Sequence, residues 1–249
     1  MRQLGGGRNI LSVYLDERER AASPFDRLKA GYVARAHRWG ESDRGEELIA
    51  RGAASPLGSA ARFVASQLAI CDLPRMIELD VPWWNRKAAL AVDDFLAARP
   101  EARVFEFGSG ASTVWLARRA KAVVSAEPFV GWANALEPKL APYGNTELMV
   151  RSLTDGGGPF VGSIAEVGGQ FDLIVIDGRE RVACLEAALP FLADDGILLF
   201  DDTGRPRYRG GIRASGLQER RYFGAAFAKP YPDWTSLLWR GSPESVPPA

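Results

Sequence analysis

The sequence has little of the residue types on which several kinds of site depend. It contains one histidine, His37, and two cysteines, Cys71 and Cys184, which lie far apart. These three residues do not have the spacing of ligands in a metal centre built from cysteine and histidine. We therefore expect both cysteines to be ordinary apolar residues. His37 falls off the apolar side of its predicted helix. We therefore expect it on the surface rather than in the role of a catalytic base.

Excess charge and long apolar runs are also missing. Lys+Arg and Asp+Glu each total 31, so no net charge favours nucleic acid or an anionic membrane. No apolar run approaches the ~20 residues of a membrane-spanning helix, and the first residues lack the apolar core of a signal peptide. We expect a cytoplasmic protein without nucleic-acid or membrane partners. The chain of 249 residues is long enough to bury a substantial core.

What the sequence does have is a glycine turn after a predicted buried strand. Residues 104–113, VFEFGSGAST, predict a strand that carries Glu106, a turn through Gly108 and Gly110, and the start of a helix. Glycines let the backbone approach a ligand that a Cβ would block. A helix N-terminus that follows offers free N–H groups and a partial positive charge. The segment therefore predicts a ligand-binding turn.

A second acidic residue narrows the class of ligand. Glu127 follows a predicted strand and lies nineteen residues after Gly108, where an acid can accept hydrogen bonds from both hydroxyls of a ribose. A dinucleotide fingerprint needs a third glycine where this chain has Thr113. Glu106 would also place like charge beside a pyrophosphate. The pattern favours a nucleoside that carries an ammonium or sulfonium group, and disfavours a nicotinamide dehydrogenase.

The chain divides near residue 100. Before it the sequence predicts helices and loops, and after it strands and helices alternate, which predicts a mostly parallel sheet. We predict a helical extension over 1–100, a cofactor-binding domain over 101–241 and a disordered tail over 242–249. Two tryptophans, Trp83 and Trp84, precede the last helix of the extension. They either fix that helix to the core or form an aromatic wall at the site.

Carboxylates follow the predicted fourth and fifth strands. Asp177 comes after residues 171–176, and Asp201 and Asp202 come after residues 197–200. Ligands of open α/β sheets bind outside the carboxyl ends of the strands. Together with the two glutamates, these residues predict five carboxylates on one rim of the sheet.

The C-terminal part of the chain predicts a hairpin. Residues 221–227 and 235–239 read as strands joined by the Pro-containing segment 228–234. Two adjacent strands with such a connection are expected to pair antiparallel.

Glu106, Gly108, Gly110 and Glu127 resemble motif I and the following acidic motif of the class I S-adenosylmethionine-dependent methyltransferases. The resemblance covers residues 103–240. It implies an α/β, Rossmann-like, doubly wound sheet of seven strands, mostly parallel with an antiparallel C-terminal edge hairpin, plus an N-terminal helical extension. It further implies methyl transfer from S-adenosylmethionine to a small-molecule acceptor, with oxygen as the expected atom. The extension would serve as a lid or as the contact surface of a homodimer.

The resemblance also implies roles for individual residues. The cofactor-binding set is Glu106, Gly108, Gly110, Ser112, Glu127 and Asp177. The residues facing the acceptor are Asp177, Asp201 and Asp202. These three are also candidate Mg²⁺ ligands, because metal-dependent relatives such as catechol O-methyltransferase bind the ion at the same strand ends.

The chain departs from that metal-binding pattern in three ways, so metal dependence stays open. Gly178 follows Asp177, no lysine lies nearby to act as a base, and Asp202 stands where an asparagine is common.

Two other functions stay open. An aminopropyltransferase of the spermidine synthase type shares the fold, but it needs an acidic groove for a polyamine. The four arginines of residues 205–213 argue against such a groove. The other alternative is a nucleoside-binding module without catalytic activity.

Overall fold

The structure, a computed structural model, describes residues 24–241, so the predicted tail at 242–249 lies outside it. In the part of the chain it describes, five helices come before the sheet: α1 Pro24–Gly40, α2 Asp43–Ala53, α3 Ala60–Ser66, α4 Leu73–Glu78 and α5 Arg86–Ala97. None of the helices within 24–241 is both long and apolar enough to cross a membrane.

Strands and helices then alternate. Their bounds are β1 Arg103–Phe107, α6 Ala111–Ala117, β2 Ala122–Glu127, α7 Val130–Leu140, β3 Thr146–Val150, α8 Gly158–Val167, β4 Phe171–Ile176, α9 Arg181–Ala188, β5 Leu192–Asp201, α10 Pro206–Ala214, β6 Gln218–Ala226 and β7 Lys229–Trp239.

The strands form one seven-stranded sheet in the order β3-β2-β1-β4-β5-β7-β6. Strands β1 to β5 pair parallel, and β7 runs antiparallel to β5 and β6. The predicted fold class is confirmed. The strand order reverses between β1 and β4, and ligands of open α/β sheets bind at such a reversal.

The predicted C-terminal hairpin pairs antiparallel, but its loop was placed wrongly. Strands β6 and β7 are separated by two residues only, Phe227 and Ala228, and both are fully buried. The two prolines that predicted a loop, Pro230 and Pro232, lie where the pairing register shifts between Gly224 and Ala226. A proline is tolerated at such an irregularity because no ladder hydrogen bond is lost.

The helices before residue 100 pack on one face of the sheet and share its core. Ile49 and Leu73 belong to the same hydrophobic cluster as Val104 and Leu173 of the central strands. Asn85 caps the N-terminus of helix α5, because its Oδ1 accepts hydrogen bonds from two backbone N–H groups of the first turn. This cap fixes the helix start, and the helix buries its apolar side against the sheet.

The two cysteines and the single histidine are all at least partly buried in the fold. Cys71 and Cys184 are buried, as expected for apolar residues. His37 is half-buried rather than on the surface, because its Nε2 donates to the carbonyl of Ile70 at 2.8 Å. Packing of α1 against this carbonyl is a long-range contact that helical spacing does not reveal.

Asp80 ties the N-terminal helices to the sheet domain. Its carboxylate contacts Arg118 at 2.9 Å, Arg119 at 2.7 Å and Arg62 at 3.6 Å. Burial opposes its charge, but hydrogen bonds to Arg119 and Arg118 outweigh this and hold the pKa of Asp80 below its usual value. Arg118 and Arg119 directly follow α6, so this contact links the extension to the helix after the glycine turn.

We expect Asp80→Asn to lower the free energy of unfolding by about 2–3 kcal/mol, because three guanidinium groups lose their shared carboxylate. Urea unfolding at pH 7 measures this loss. The loss should shrink as the pH falls through the lowered pKa of Asp80, since the wild-type carboxylate then loses its charge as well. Asp94→Asn, at an exposed position of α5, is the matched control. Equal stability of the two variants would contradict the linking role of Asp80.

Candidate functional site

Two glycines bring the ends of the central strands into contact. Gly108 follows β1 with φ of +98°, and a Cβ there would lie 2.7 Å from the Cα of Gly178, which comes after β4. A Cβ on Gly178 would in turn lie 3.0 Å from the nitrogen of Gly108. Packing alone therefore requires both glycines.

Gly110 is not explained by packing in this way. Its φ of 168° is extended backbone that any residue adopts, and a Cβ there would meet only the Trp132 ring, at 3.7 Å. A Cβ would therefore fit at Gly110, so neither packing nor backbone conformation requires a glycine there.

Glu106 lies beneath the turn and is 0% exposed. Its carboxylate accepts hydrogen bonds from the hydroxyls of Ser112 at 2.5 Å, Thr113 at 2.5 Å and Ser125 at 2.6 Å. Burial raises the pKa of Glu106 to about 7, although the three hydroxyls oppose the shift. The structure thus brings two of the predicted cofactor-binding residues together, since the hydroxyl of Ser112 donates a hydrogen bond to Glu106. Their contact with a cofactor stays a prediction.

Thr113 explains why the third fingerprint glycine is replaced. Its hydroxyl accepts the N–H of Gly110 at 3.0 Å and donates to Glu106. A glycine at this position would lack both bonds. Thr113, which disfavours a dinucleotide site, thus links the glycine turn to the buried Glu106 through two hydrogen bonds.

Glu127 lies at the end of β2 and holds the same turn from the other side. Its Oε2 accepts from the N–H of Ser109 at 3.0 Å and from the Ser109 hydroxyl at 2.8 Å. Its Oε1 accepts from the N–H of Phe129 at 3.0 Å. The Trp132 indole donates to the carbonyl of Ser109 at 2.8 Å. Glu127 is therefore beside the glycine turn, as expected, and its contact with a ribose stays a prediction.

Asp177 follows β4 and has two side-chain partners. Arg181 contacts Oδ1 at 2.9 Å, and the indole of Trp84 donates to Oδ2 at 3.2 Å. Burial, followed by the charge of Asp201, raises the pKa of Asp177 well above its usual value against the opposing effect of Arg181. A carboxylate whose pKa is raised is a stronger proton acceptor than an ordinary aspartate.

Trp84 is buried in the core and does not form an exposed aromatic wall at the site. It is 0% exposed and packs edge-on against Trp115, with ring centroids 5.7 Å apart. Its neighbour Trp83 donates to the carbonyl of Ala228 at 3.1 Å. Of the two interpretations of this pair, fixing the helix start to the core is the one that the contacts of Trp84 support.

Asp201 is the last residue of β5, Asp202 follows it, and both are buried. Asp201 accepts a hydrogen bond from the hydroxyl of Thr235, with an oxygen–oxygen distance of 2.5 Å. Asp202 contacts Arg181 at 3.2 Å and Arg205 at 2.5 Å. Burial opposes the charge of Asp202, but these guanidinium groups and Lys229 outweigh it and lower its pKa. Arg205 is thus already paired with a carboxylate of the protein.

Lys229 is a site residue that the sequence analysis missed. Its Nζ lies 2.5 Å from Asp233, 3.5 Å from Asp201 and 3.8 Å from Asp202. Burial opposes its charge, but these carboxylates raise the pKa of Lys229 above its usual value. Lys229 and Asp233 lie in the segment that was predicted as a loop. Only the pairing of β7 with β5, which places Thr235 opposite Asp201, would have signalled their position.

The residues present do not fit a divalent cation. Within the described residues, the carboxylates spaced to hold one are Asp201, Asp202 and Asp233, with ligand oxygens within 4.8 Å of one another, and Asp177 is not among them. The Lys229 ammonium lies against the same three carboxylates, and Arg181 and Arg205 also contact Asp202. The prediction of Mg²⁺ on Asp177, Asp201 and Asp202 is not supported by this arrangement.

A family model described as a methyltransferase domain matches residues 105–203. The match covers 99 of the 249 residues and extends from β1 to just past β5. It includes every residue predicted for the site. No curated protein sequence matches this chain.

Several solved structures are similar to this one. An rRNA methylase from Streptococcus thermophilus is 17% identical, with 61% of this chain and 95% of that chain covered and a TM-score of 0.47. Precorrin-6y C5,15-methyltransferase from Geobacter metallireducens is 12% identical, with 61% and 88% covered and a TM-score of 0.47. N-methyltransferase NodS from Bradyrhizobium japonicum is 14% identical, with 61% and 93% covered and a TM-score of 0.46.

The family match and the site lie in the same part of the chain. The matched residues contain the glycine turn, Glu127 and the aspartates that end β4 and β5. Residues 105–203 are therefore similar to a methyltransferase domain, and the candidate site lies within them.

Proposed function

We propose that this protein transfers the methyl group of S-adenosylmethionine to an oxygen atom of a small-molecule acceptor. The observation that carries the proposal is the glycine turn after β1, held from below by the buried Glu106 and from the side by Glu127 at the end of β2. It lies on the side of the sheet where the strand order reverses.

The residues present fit the cofactor. The turn at Gly108 and Gly110 would approach its methionine portion, and Glu127 would contact its ribose hydroxyls. The backbone N–H of Phe129 contacts Glu127, and the indole of Trp132 contacts the carbonyl of Ser109, so both residues lie beside this position. When bound, S-adenosylmethionine supplies a methyl group on a positively charged sulfur.

Glu106 is proposed as a positioning residue rather than a ligand-binding one. It orients the hydroxyls of Ser112 and Thr113, and Thr113 in turn holds the N–H of Gly110. Loss of Glu106 would therefore alter the turn from below.

Asp177 is proposed to accept the proton of the acceptor hydroxyl. A carbon–oxygen bond forms as the carbon–sulfur bond breaks, and the proton passes from the hydroxyl to the carboxylate. Arg181 and Trp84 hold the Asp177 side chain in place. Asp201 and Asp202 stabilise the neighbouring cations, and no metal ion takes part in the proposed mechanism.

The division of the chain at residue 100 remains a prediction. We propose that the helices of the extension close the acceptor side of the site, because Trp84 reaches Asp177 and Trp83 reaches Ala228. Asp80 and the shared core hold these helices against the sheet, which favours a fixed wall over a lid.

We expect Glu127→Ala to weaken binding of S-adenosylhomocysteine roughly ten- to a hundred-fold, because a charged acceptor for ribose hydroxyls is lost. Isothermal titration calorimetry measures the change, and thermal melting separates it from loss of folding. Glu147→Ala, at an exposed position of the neighbouring strand β3, is the control and should bind as the wild type does. Unchanged binding in Glu127→Ala would contradict the ribose contact.

We expect the wild-type free energy of unfolding to lose about 3 kcal/mol between pH 4.5 and pH 7 because of Glu106. Its folded-state pKa of about 7 exceeds the ordinary 4.5, so the unfolded chain gives up this proton first as the pH rises. In Glu106→Gln this part of the pH dependence should be absent, as urea unfolding across the range would show. Parallel pH profiles for the variant and the wild type would contradict the raised pKa.

A further inference from the structure

A compact group of charged side chains surrounds the end of β5. It contains the carboxylates of Asp177, Asp201, Asp202 and Asp233 and the cations of Arg181, Arg205 and Lys229. Four carboxylates thus face three cationic groups. All of these side chains except Arg205 are largely shielded from water, and such a group is stable only if its charges compensate one another.

Lys229 lies at the centre of three of these carboxylates. Its side chain is 10% exposed, and its Nζ is 2.5 Å from Asp233, 3.5 Å from Asp201 and 3.8 Å from Asp202. The hairpin fixes where the side chain begins, because Phe227 and Ala228 before it are fully buried. The ammonium is therefore held by the fold and is not a surface charge that happens to lie near.

The three carboxylates by themselves have the spacing of a cation site, since their ligand oxygens lie within 4.8 Å of one another. Asp201 and Asp202 come from the end of β5, and Asp233 comes from β7. Carboxylate oxygens at such spacing suit a hard divalent cation. An ammonium offers three donors and a single charge in the same volume.

We propose that the Lys229 ammonium takes the position of a divalent cation among Asp201, Asp202 and Asp233, so that this strand end is organised by an internal cation. The proposal stands independently of the methyl acceptor, because it concerns only how this chain compensates its own carboxylates. Lys229 is a positioning residue in this account: it acts through the aspartates and does not contact the reacting atoms.

The consequence is that removing the ammonium should create a metal site. In Lys229→Met the four carboxyl groups would face only Arg181 and Arg205, so the cluster would lose one of its three cations. A divalent cation supplies the missing charge, and methionine keeps the length of the side chain without offering a donor. A purely structural role for Lys229 predicts loss of stability without any gain in metal affinity.

The test is titration of Mn²⁺ into wild type, Lys229→Met and Lys139→Met, by calorimetry and by thermal melting. Lys139 is an exposed lysine of α7 and serves as the matched control. We expect no binding by the wild type or the control, and a Kd of about 0.1–1 mM for Lys229→Met. At ten times that Kd the melting temperature of Lys229→Met should rise by about 3 °C or more.

A double variant, Lys229→Met with Asp233→Asn, should lose the Mn²⁺ affinity that Lys229→Met gains, because one of the three carboxylates is removed. Mn²⁺ binding by the wild type that Asp233→Asn removes would overturn the proposal, because the position would then admit a metal despite the ammonium. Folded Lys229→Met that gains no affinity would overturn it as well. Should Lys229→Met not fold, Lys229→Gln replaces it, since glutamine retains donors and removes the charge, and the same gain is expected.

Discussion

The arrangement of the site depends on the contact between the backbones of Gly108 and Gly178. Neither position has room for a Cβ, so the turns after β1 and β4 meet at the point where the strand order reverses. The contact brings the turn that Glu106 and Glu127 hold next to Asp177. A larger residue at either position would separate the two halves of the site, whatever its chemistry.

Each buried acid of the rim has partners within the protein. Glu106 accepts hydrogen bonds from three hydroxyl groups, and Glu127 accepts hydrogen bonds from backbone N–H groups. The aspartates form ion pairs with Arg181, Arg205 or Lys229. Buried polar groups are tolerated when they are satisfied in this way. The strand ends are therefore pre-organised before any ligand arrives, which suits a reaction that depends mainly on alignment.

Local sequence pattern was sufficient for the order of the strands along the chain and for the acids at the strand ends. The glycine turn, Glu127 and Asp177 follow from strand ends that the apolar runs mark clearly. Lys229 and Asp233 did not follow, because the prolines of β7 read as a loop and the pairing that tolerates them is set by β6. The bonds of Asp177 to Trp84 and of Asp80 to Arg118 and Arg119 are long-range contacts without a local signal.

The most direct test of the cofactor site is ultraviolet cross-linking of methyl-labelled S-adenosylmethionine, followed by peptide mapping. The account predicts label in the peptides that contain Gly108–Gly110 or Phe129–Trp132, and its loss when unlabelled S-adenosylhomocysteine is in excess. NAD in the same excess should leave the labelling unchanged. Absence of label, or label elsewhere that S-adenosylhomocysteine does not displace, would contradict a cofactor site at the turn after β1.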